Sequence, residues 1–259
     1  MKMPKISRSF FVSPHPDDAA LSCGGTIYQL AQNDQRPIVI TLFDGDRSAA
    51  APLSEFTRGL HARWQLTDAA PATRREEDRA ALDRLAAFLM QLPFADCIYR
   101  VAPITHQPLY DSEAAIFGSI REAEITDRVA EALRSKIAAI QSSGSTVKIF
   151  VPLTAGQHVD HLIARAAAER LDQPVIYYED FPYAEDTTKL QPVWGDDEWR
   201  PESIELSAEA LQAKAESIAR YRSQLSTFFK DEAEIETRIK AYATEVGGGK
   251  LAERYWQKV

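Results

Sequence analysis

The chain has 259 residues, enough to bury a substantial core as one α/β domain over 1–259. Asp and Glu outnumber Lys and Arg by 38 to 30, a formal charge of −8, and no basic run offers a stripe that tracks phosphates, so nucleic acid is disfavoured as a partner. Residues 1–6 lead into an apolar run too short for a signal peptide, no stretch reaches the length of a membrane span, and Cys23 and Cys97 form no disulfide-rich or Cys-x-x-Cys pattern, so a cytoplasmic protein is the default.

Residues 9–13 read as a first strand, apolar at Phe10, Phe11 and Val12. Pro14 and Pro16 then forbid a regular ladder or helix. A helix over about 18–33 follows, with Ala20, Leu21, Ile27 and Leu30 for its buried face. Residues 37–43 are a second buried strand, ending at the turn signal Asp44-Gly45-Asp46. Residues 47–73 are long and polar, with a helix over 53–66 and the character of a lid; His61 and Trp64 there read as packing residues. The apolar stripe of Ala81, Leu82, Leu85, Phe88 and Leu89 predicts a helix over 74–92. Arg74 and Arg75 are then cations at the positive end of a helix, which points to another job for at least one of them. A third strand is predicted at 97–101, a rim loop at 103–116, a helix at 122–140 and a short loop at 142–145. A fourth strand covers 148–153, a helix opens after Gly156, and a fifth strand spans 175–178, ending in Glu179-Asp180. Residues 186–201 read as a loop or edge hairpin, 203–206 as an antiparallel edge strand, 207–221 and 232–246 as helices. The expected fold class is α/β, a Rossmann-like, mostly parallel sheet flanked by helices, with the active site at the carboxyl ends of the strands.

Two strand-to-helix turns carry the chemistry. The first reads His15-Pro16-Asp17-Asp18, the second His158-Val159-Asp160-His161. His15, Asp18 and one histidine of the second pair supply three nitrogen and oxygen ligands with a fourth position open, the usual layout of catalytic zinc. Asp17 is then a carboxylate beside the metal, suited to take a proton from water. The plainer alternative makes Asp17 or Asp18 a helix cap and His15 a turn histidine. Asp160 either caps its helix or holds a histidine tautomer from behind. Asp180 and Tyr183 are candidates to line the pocket.

On these residues the chain resembles the LmbE-like (PIG-L) family of zinc-dependent N-deacetylases. The resemblance rests on His15-Pro-Asp17-Asp18 with the trailing Cys-Gly-Gly-Thr, on His158-Val-Asp160-His161, on Arg-Arg-x-Glu-Asp at 74–78, on Tyr178-Glu179-Asp180-Phe-Pro182-Tyr183, and on Tyr221-Arg-Ser223-Gln224. It implies Zn2+ on His15, Asp18 and His161, with Asp17 as general base. It implies that His158, protonated, stabilises the tetrahedral intermediate or assists the leaving amine, and that an arginine at the position of Arg74 reaches the sugar. The implied substrate is a small-molecule N-acetylglucosaminyl conjugate that releases acetate. Related folds commonly assemble, so a homo-oligomer is admitted. Family members usually carry Glu after the Asp pair, where this chain has Ala19. A metal-dependent amidase acting on a non-sugar amide, and a non-catalytic carbohydrate-binding protein, are the alternatives. The loops at 44–73, 102–116 and 184–200 are expected to hold selectivity.

Overall fold

A computed structural model of the protein describes residues 7–48, 51–67, 69–141, 146–194 and 198–259. The predicted 142–145 loop and the N-terminal residues 1–6 lie outside them. In chain order the elements are β1 (Ser7–Ser13), α1 (Asp18–Gln32), β2 (Ile38–Thr41), α2 (Glu55–Arg63), α3 (Ala70–Arg84), β3 (Phe88–Gln91), α4 (Glu113–Ile116), α5 (Ile125–Ile140), β4 (Thr146–Pro152) and α6 (Val159–Ala168). Then follow β5 (Val175–Tyr178), α7 (Gln191–Trp194), β6 (Trp199–Glu205), α8 (Ala208–Ile218), α9 (Arg222–Phe228), α10 (Glu232–Val246) and β7 (Ala252–Lys258).

All seven strands join one sheet in the order β3-β2-β1-β4-β5-β7-β6. β3, β2, β1, β4 and β5 run parallel, and β7 and β6 add an antiparallel edge. The mixed α/β class with a mostly parallel sheet is therefore the observed one. The chain leaves β1 toward β2 on one side, and later returns to place β4 on the other. That makes the β1–β4 seam the point where strand order reverses, the place where open α/β sheets bind ligands. His15 and His158 stand just past the carboxyl ends of those two strands.

The strands read as continuous apolar runs because both faces are covered. Phe10, Val12, Ile38, Ile40, Ile149 and Val151 pack on one side with Val129 and Leu133 of α5 and Ile163 of α6. Phe11, Val39 and Phe150 pack on the other with Leu21 and Ile27 of α1, Leu82 of α3 and Ala210 of α8. Phe11 and Phe150, paired in register across the seam, stack with ring centroids 4.4 Å apart. The Cys-Gly-Gly-Thr stretch of α1 has a packing reason. A Cβ on Gly24 would sit 3.0 Å from the Lys214 side chain of α8, and one on Gly25 would sit 2.6 Å from Leu206. Through that gap Glu253 of β7 accepts from the Gly25 and Thr26 N–H groups at 3.0 and 2.9 Å, and pairs with Lys214 Nζ at 2.8 Å.

The segment after β2 departs from expectation. The helix predicted at 74–92 is α3, which begins at Ala70 with Pro71 in its first turn and ends at Arg84. Phe88 and Leu89 belong to a strand, β3, instead of to its apolar stripe. Arg74 and Arg75 consequently lie one turn inside the helix, and the dipole conflict read from their position does not arise. The third strand predicted at 97–101 is a 3-10 turn over Cys97–Tyr99. Ala86, with φ of 53°, turns the chain from α3 into β3.

Gly45 forms a bridge to Ala95 and has no room for a side chain: a Cβ there would lie 2.4 Å from the Pro93 carbonyl oxygen. Backbone cannot yield as a flexible side chain does. Gly45→Ala is expected to lower the unfolding free energy by about 2 kcal/mol or more, measured by urea denaturation.

Candidate metal centre

The first turn is built around its own hydroxyl and carboxylate. Ser13 Oγ donates to the His15 carbonyl at 2.7 Å and accepts from Ala19 N–H at 3.0 Å. Asp18 Oδ2 accepts from the His15 N–H at 2.8 Å. Asp17 sits at the helix start with φ of 108° and makes no side-chain capping bond, so the capping role weighed for it is not taken up. A left-handed aspartate costs energy that the surroundings must supply, and such strain gathers at functional sites. The second turn is similarly bent, with positive φ at Thr154, Gly156 and Gln157 just before His158.

The two turns meet. Asp18 Oδ2 lies 3.3 Å from His15 Nδ1 and 3.3 Å from His161 Nε2. The far nitrogen of each imidazole faces a buried carboxylate: His15 Nε2 is 3.0 Å from Asp160 Oδ2, and His161 Nδ1 is 2.6 Å from Asp180 Oδ1. A carboxylate only accepts, so the far nitrogens carry the protons, and the near nitrogens, His15 Nδ1 and His161 Nε2, are free to turn their lone pairs, with that of Asp18 Oδ2, on a shared cation. Two imidazoles and one carboxylate oxygen, each imidazole backed by a second carboxylate, is a donor set that suits zinc. The electrostatics ask for a cation at the same point. Burial disfavours a charged His161, yet Asp18 and Asp180 outweigh it and carry the imidazole up to about 10. Burial likewise works against the Asp18 carboxylate, yet His161 and His15 hold it well below the usual range. His15, His158 and His161 also bring ring nitrogens within 4.8 Å of one another.

His158 differs from the other two. It caps α6, and its Nδ1 accepts from the Asp160 N–H at 3.2 Å, which leaves Nε2 to carry the proton. Burial and the neighbouring His15 press it down to about 3. These surroundings disfavour the protonated His158 expected from sequence, and its Nε2, 3.9 Å from Cys97 Sγ, is the nitrogen left to donate.

Asp17 lines the cavity beside this cluster. Burial and Asp18 push its carboxyl well above the ordinary range, against the pull of Arg74, whose Nη2 is 3.9 Å from Asp17 Oδ2. Arg74 also bonds Asp96 Oδ2 at 3.1 Å and lies 5.2 Å over the Trp64 ring. It faces the cavity, while Glu77 bonds Ser223 and the buried Asp78 bonds Thr41 and Tyr221. Asp180 departs from its expected place against substrate. It is 1% exposed, and its second oxygen accepts from Ala155 N–H at 3.0 Å, so it stands behind His161. Asp160 does back a histidine, but one from the other turn. Its other partners are the Cys97 N–H at 3.0 Å and the Arg100 guanidinium.

Above these residues opens a cavity of about 580 Å³. Phe56, Leu60 and Trp64 line it from the first long loop region, Glu113 and Ile116 from the second, and Glu185, Asp186 and Lys189 from the third. Sequence reading missed Asp96 and Arg100. Asp96 follows the unrecognised β3, and reading 88–91 as a strand would have put it at a carboxyl end with the other site acids. Arg100 had no local signal. Among the described residues no helix is long and apolar enough to cross a membrane.

Residues 10–171 match the family model described as GlcNAc-PI de-N-acetylase, PIG-L. A 2'-N-acetylparomamine deacetylase of Niallia circulans is 28% identical across 98% of this chain and 92% of its own length. Among solved structures, a teicoplanin deacetylase in its zinc-inhibited form superposes with a TM-score of 0.82 at 27% identity, covering 98% of both chains. An A40926 pseudoaglycone deacetylase gives 0.75 at 28% identity over the same share of each.

Asp44 gives the testable electrostatics of the site's flank. It is 5% exposed, and its Oδ2 has no hydrogen-bond partner among the described residues. Burial and the charge of Asp78 raise its carboxyl to about 7. A carboxyl raised on folding favours the neutral form, so its ionisation costs stability progressively as pH climbs from about 4 to about 7. Asp44→Asn is expected to be more stable than the parent by about 1–3 kcal/mol at pH 8 and nearly equal to it at pH 4, in paired urea melts.

Proposed function

The chain belongs to the GlcNAc-PI de-N-acetylase (PIG-L) family, and on that premise we propose that it hydrolyses the acetamide of an N-acetylglucosaminyl conjugate, with His15, Asp18 and His161 as the zinc ligands. It is an N-deacetylase, a hydrolase of a linear amide. The observation that carries the ligand assignment is the convergence of His15 Nδ1 and His161 Nε2 on Asp18 Oδ2, at 3.3 Å each. When bound, zinc supplies Lewis-acid polarisation of the amide carbonyl and of the attacking water.

The residues of the chain divide the remaining work. Asp17 is the general base: its carboxylate takes one proton from water as the oxygen attacks the acetamide carbon. Arg74, 3.9 Å away, is the protein's own contribution to keeping that carboxylate charged. The neutral His158 directs its Nε2–H at the carbonyl oxygen as negative charge gathers there, and a donor already aimed at that oxygen costs no reorganisation. Asp17 returns its proton to the amine nitrogen as the C–N bond breaks, giving acetate and the free amino sugar. Asp160 and Asp180 are positioning residues that fix the ring orientation of His15 and His161. The single sheet that runs from β1 to β7 supports treating 1–259 as one domain.

Three substitutions separate these roles. Asp17→Asn is expected to retain zinc by mass spectrometry and to lose about 100-fold or more of acetate release. His161→Ala is expected to lose the metal. Asp180→Asn is expected to keep the fold by circular dichroism and to bind zinc about 10- to 100-fold more weakly in a chelator competition. Full turnover in Asp17→Asn would remove it as the base.

A further inference from the structure

The cavity is larger than one acetamido sugar fills, and its upper part is not built for sugar. At about 580 Å³ it falls among sites that take drug-sized ligands. Its floor is the charged cluster. Its side is apolar, formed by Phe56, Leu60 and Trp64 of α2 and the turn after it, by Ile116 and Phe117 at the end of α4, and by Phe228 of α9. All of these but Trp64 are only partly buried, so apolar surface faces the space. The wall reaches the reacting groups: Phe117 sets its ring edge-on to His158 with centroids 5.5 Å apart, and Trp64 lies beneath Arg74. Trp64 Nε1 donates to Thr227 Oγ1 at 3.2 Å, tying the α2 part of the wall to α9.

The charges around this wall are mostly spent on one another. Glu185 pairs with Arg238, and Asp186 accepts from Thr188 N–H at 3.0 Å and Thr188 Oγ1 at 2.6 Å. Thr188 carries no charge, so Asp186 and Glu113 stand against Arg63 and Lys189 among the described residues that line the upper cavity. A polycationic group would find no surplus of carboxylates there.

The chemistry of the substrate fixes where its second half must go. In a 2-acetamido sugar the amide is on C2 and the glycosidic oxygen on the neighbouring C1, so the aglycone leaves from beside the reacting carbonyl. The apolar wall, which reaches His158 through Phe117 and Arg74 through Trp64, offers surface to that second half. Resting on the deacetylase reading, we propose that the preferred conjugate carries an apolar aglycone, aryl or alkyl, held against Phe56, Leu60, Ile116, Phe117 and Phe228.

The test compares acetate release from four compounds with the zinc-loaded enzyme: free N-acetylglucosamine and its methyl, phenyl and octyl β-glycosides. The phenyl and octyl glycosides are expected to exceed the methyl glycoside at least tenfold in kcat/KM, as burial of about two methylene groups supplies. Leu60→Asp and Phe228→Ser are each expected to cut the octyl-to-methyl ratio at least fivefold, a ratio that a general loss of folded enzyme leaves unmoved. Equal kcat/KM for the methyl, phenyl and octyl glycosides would overturn the apolar aglycone and leave the deacetylase reading standing. An unchanged ratio in both variants would remove this wall as its seat. Acetate from none of the four would overturn both readings together.

Discussion

One buried carboxylate joins the two halves of the site. Asp160 has no exposure, and its two oxygens meet the His15 ring, the Cys97 N–H and the Arg100 guanidinium. Burying that charge costs several kcal/mol unless good partners surround it. Burial works against the charge, Arg100 and His15 answer it, and the balance holds Asp160 well below the usual carboxylate range. The arrangement carries orientation as well as energy. Because the acceptor comes from the second turn and the donor from the first, the direction of the His15 ring is set by a residue 145 positions away. Removing Asp160 would take from His15 its backing carboxylate and from Arg100 one of its two anionic partners.

The fold makes that contact available. β1 and β4 are neighbours at the seam where strand order reverses, so turns distant in sequence end side by side. Each turn is bent by residues in left-handed conformations, Asp17 in one and Thr154 with Gln157 in the other. A regular strand-to-helix connection would point these side chains elsewhere. The apolar strands beneath, covered on both faces, are the rigid base against which such strain is held.

The central strands and both histidine turns were legible because proline, glycine and histidine interrupt apolar runs at fixed places. The β3 region was not. Leu85, Phe88 and Leu89 mimic a helical stripe, and the reversal between α3 and β3 is made by Ala86, which carries no turn signal. β3 is an edge strand with Phe88 59% exposed, so it lacks the buried alternation that marks an inner strand. Asp180 was visible as an acid at a strand end, but only tertiary structure shows that it faces the back of His161. The pressure against a charged His158 likewise depends on burial and on two neighbouring imidazoles brought together by folding.

The glycine gap in α1 has a bearing on how the chain tolerates shortening. Glu253 enters that gap from the last strand and engages Gly25 and Thr26, about two turns beyond the aspartates that begin the helix. The C-terminal strand is thus a strut under the catalytic helix as well as the sheet's late addition. Trimming back past residue 253 would strip the helix of its acceptor and strand the ammonium of Lys214 in a dry interior, harming chemistry far from the cut. A purification tag appended after Val259, which is exposed, touches none of this.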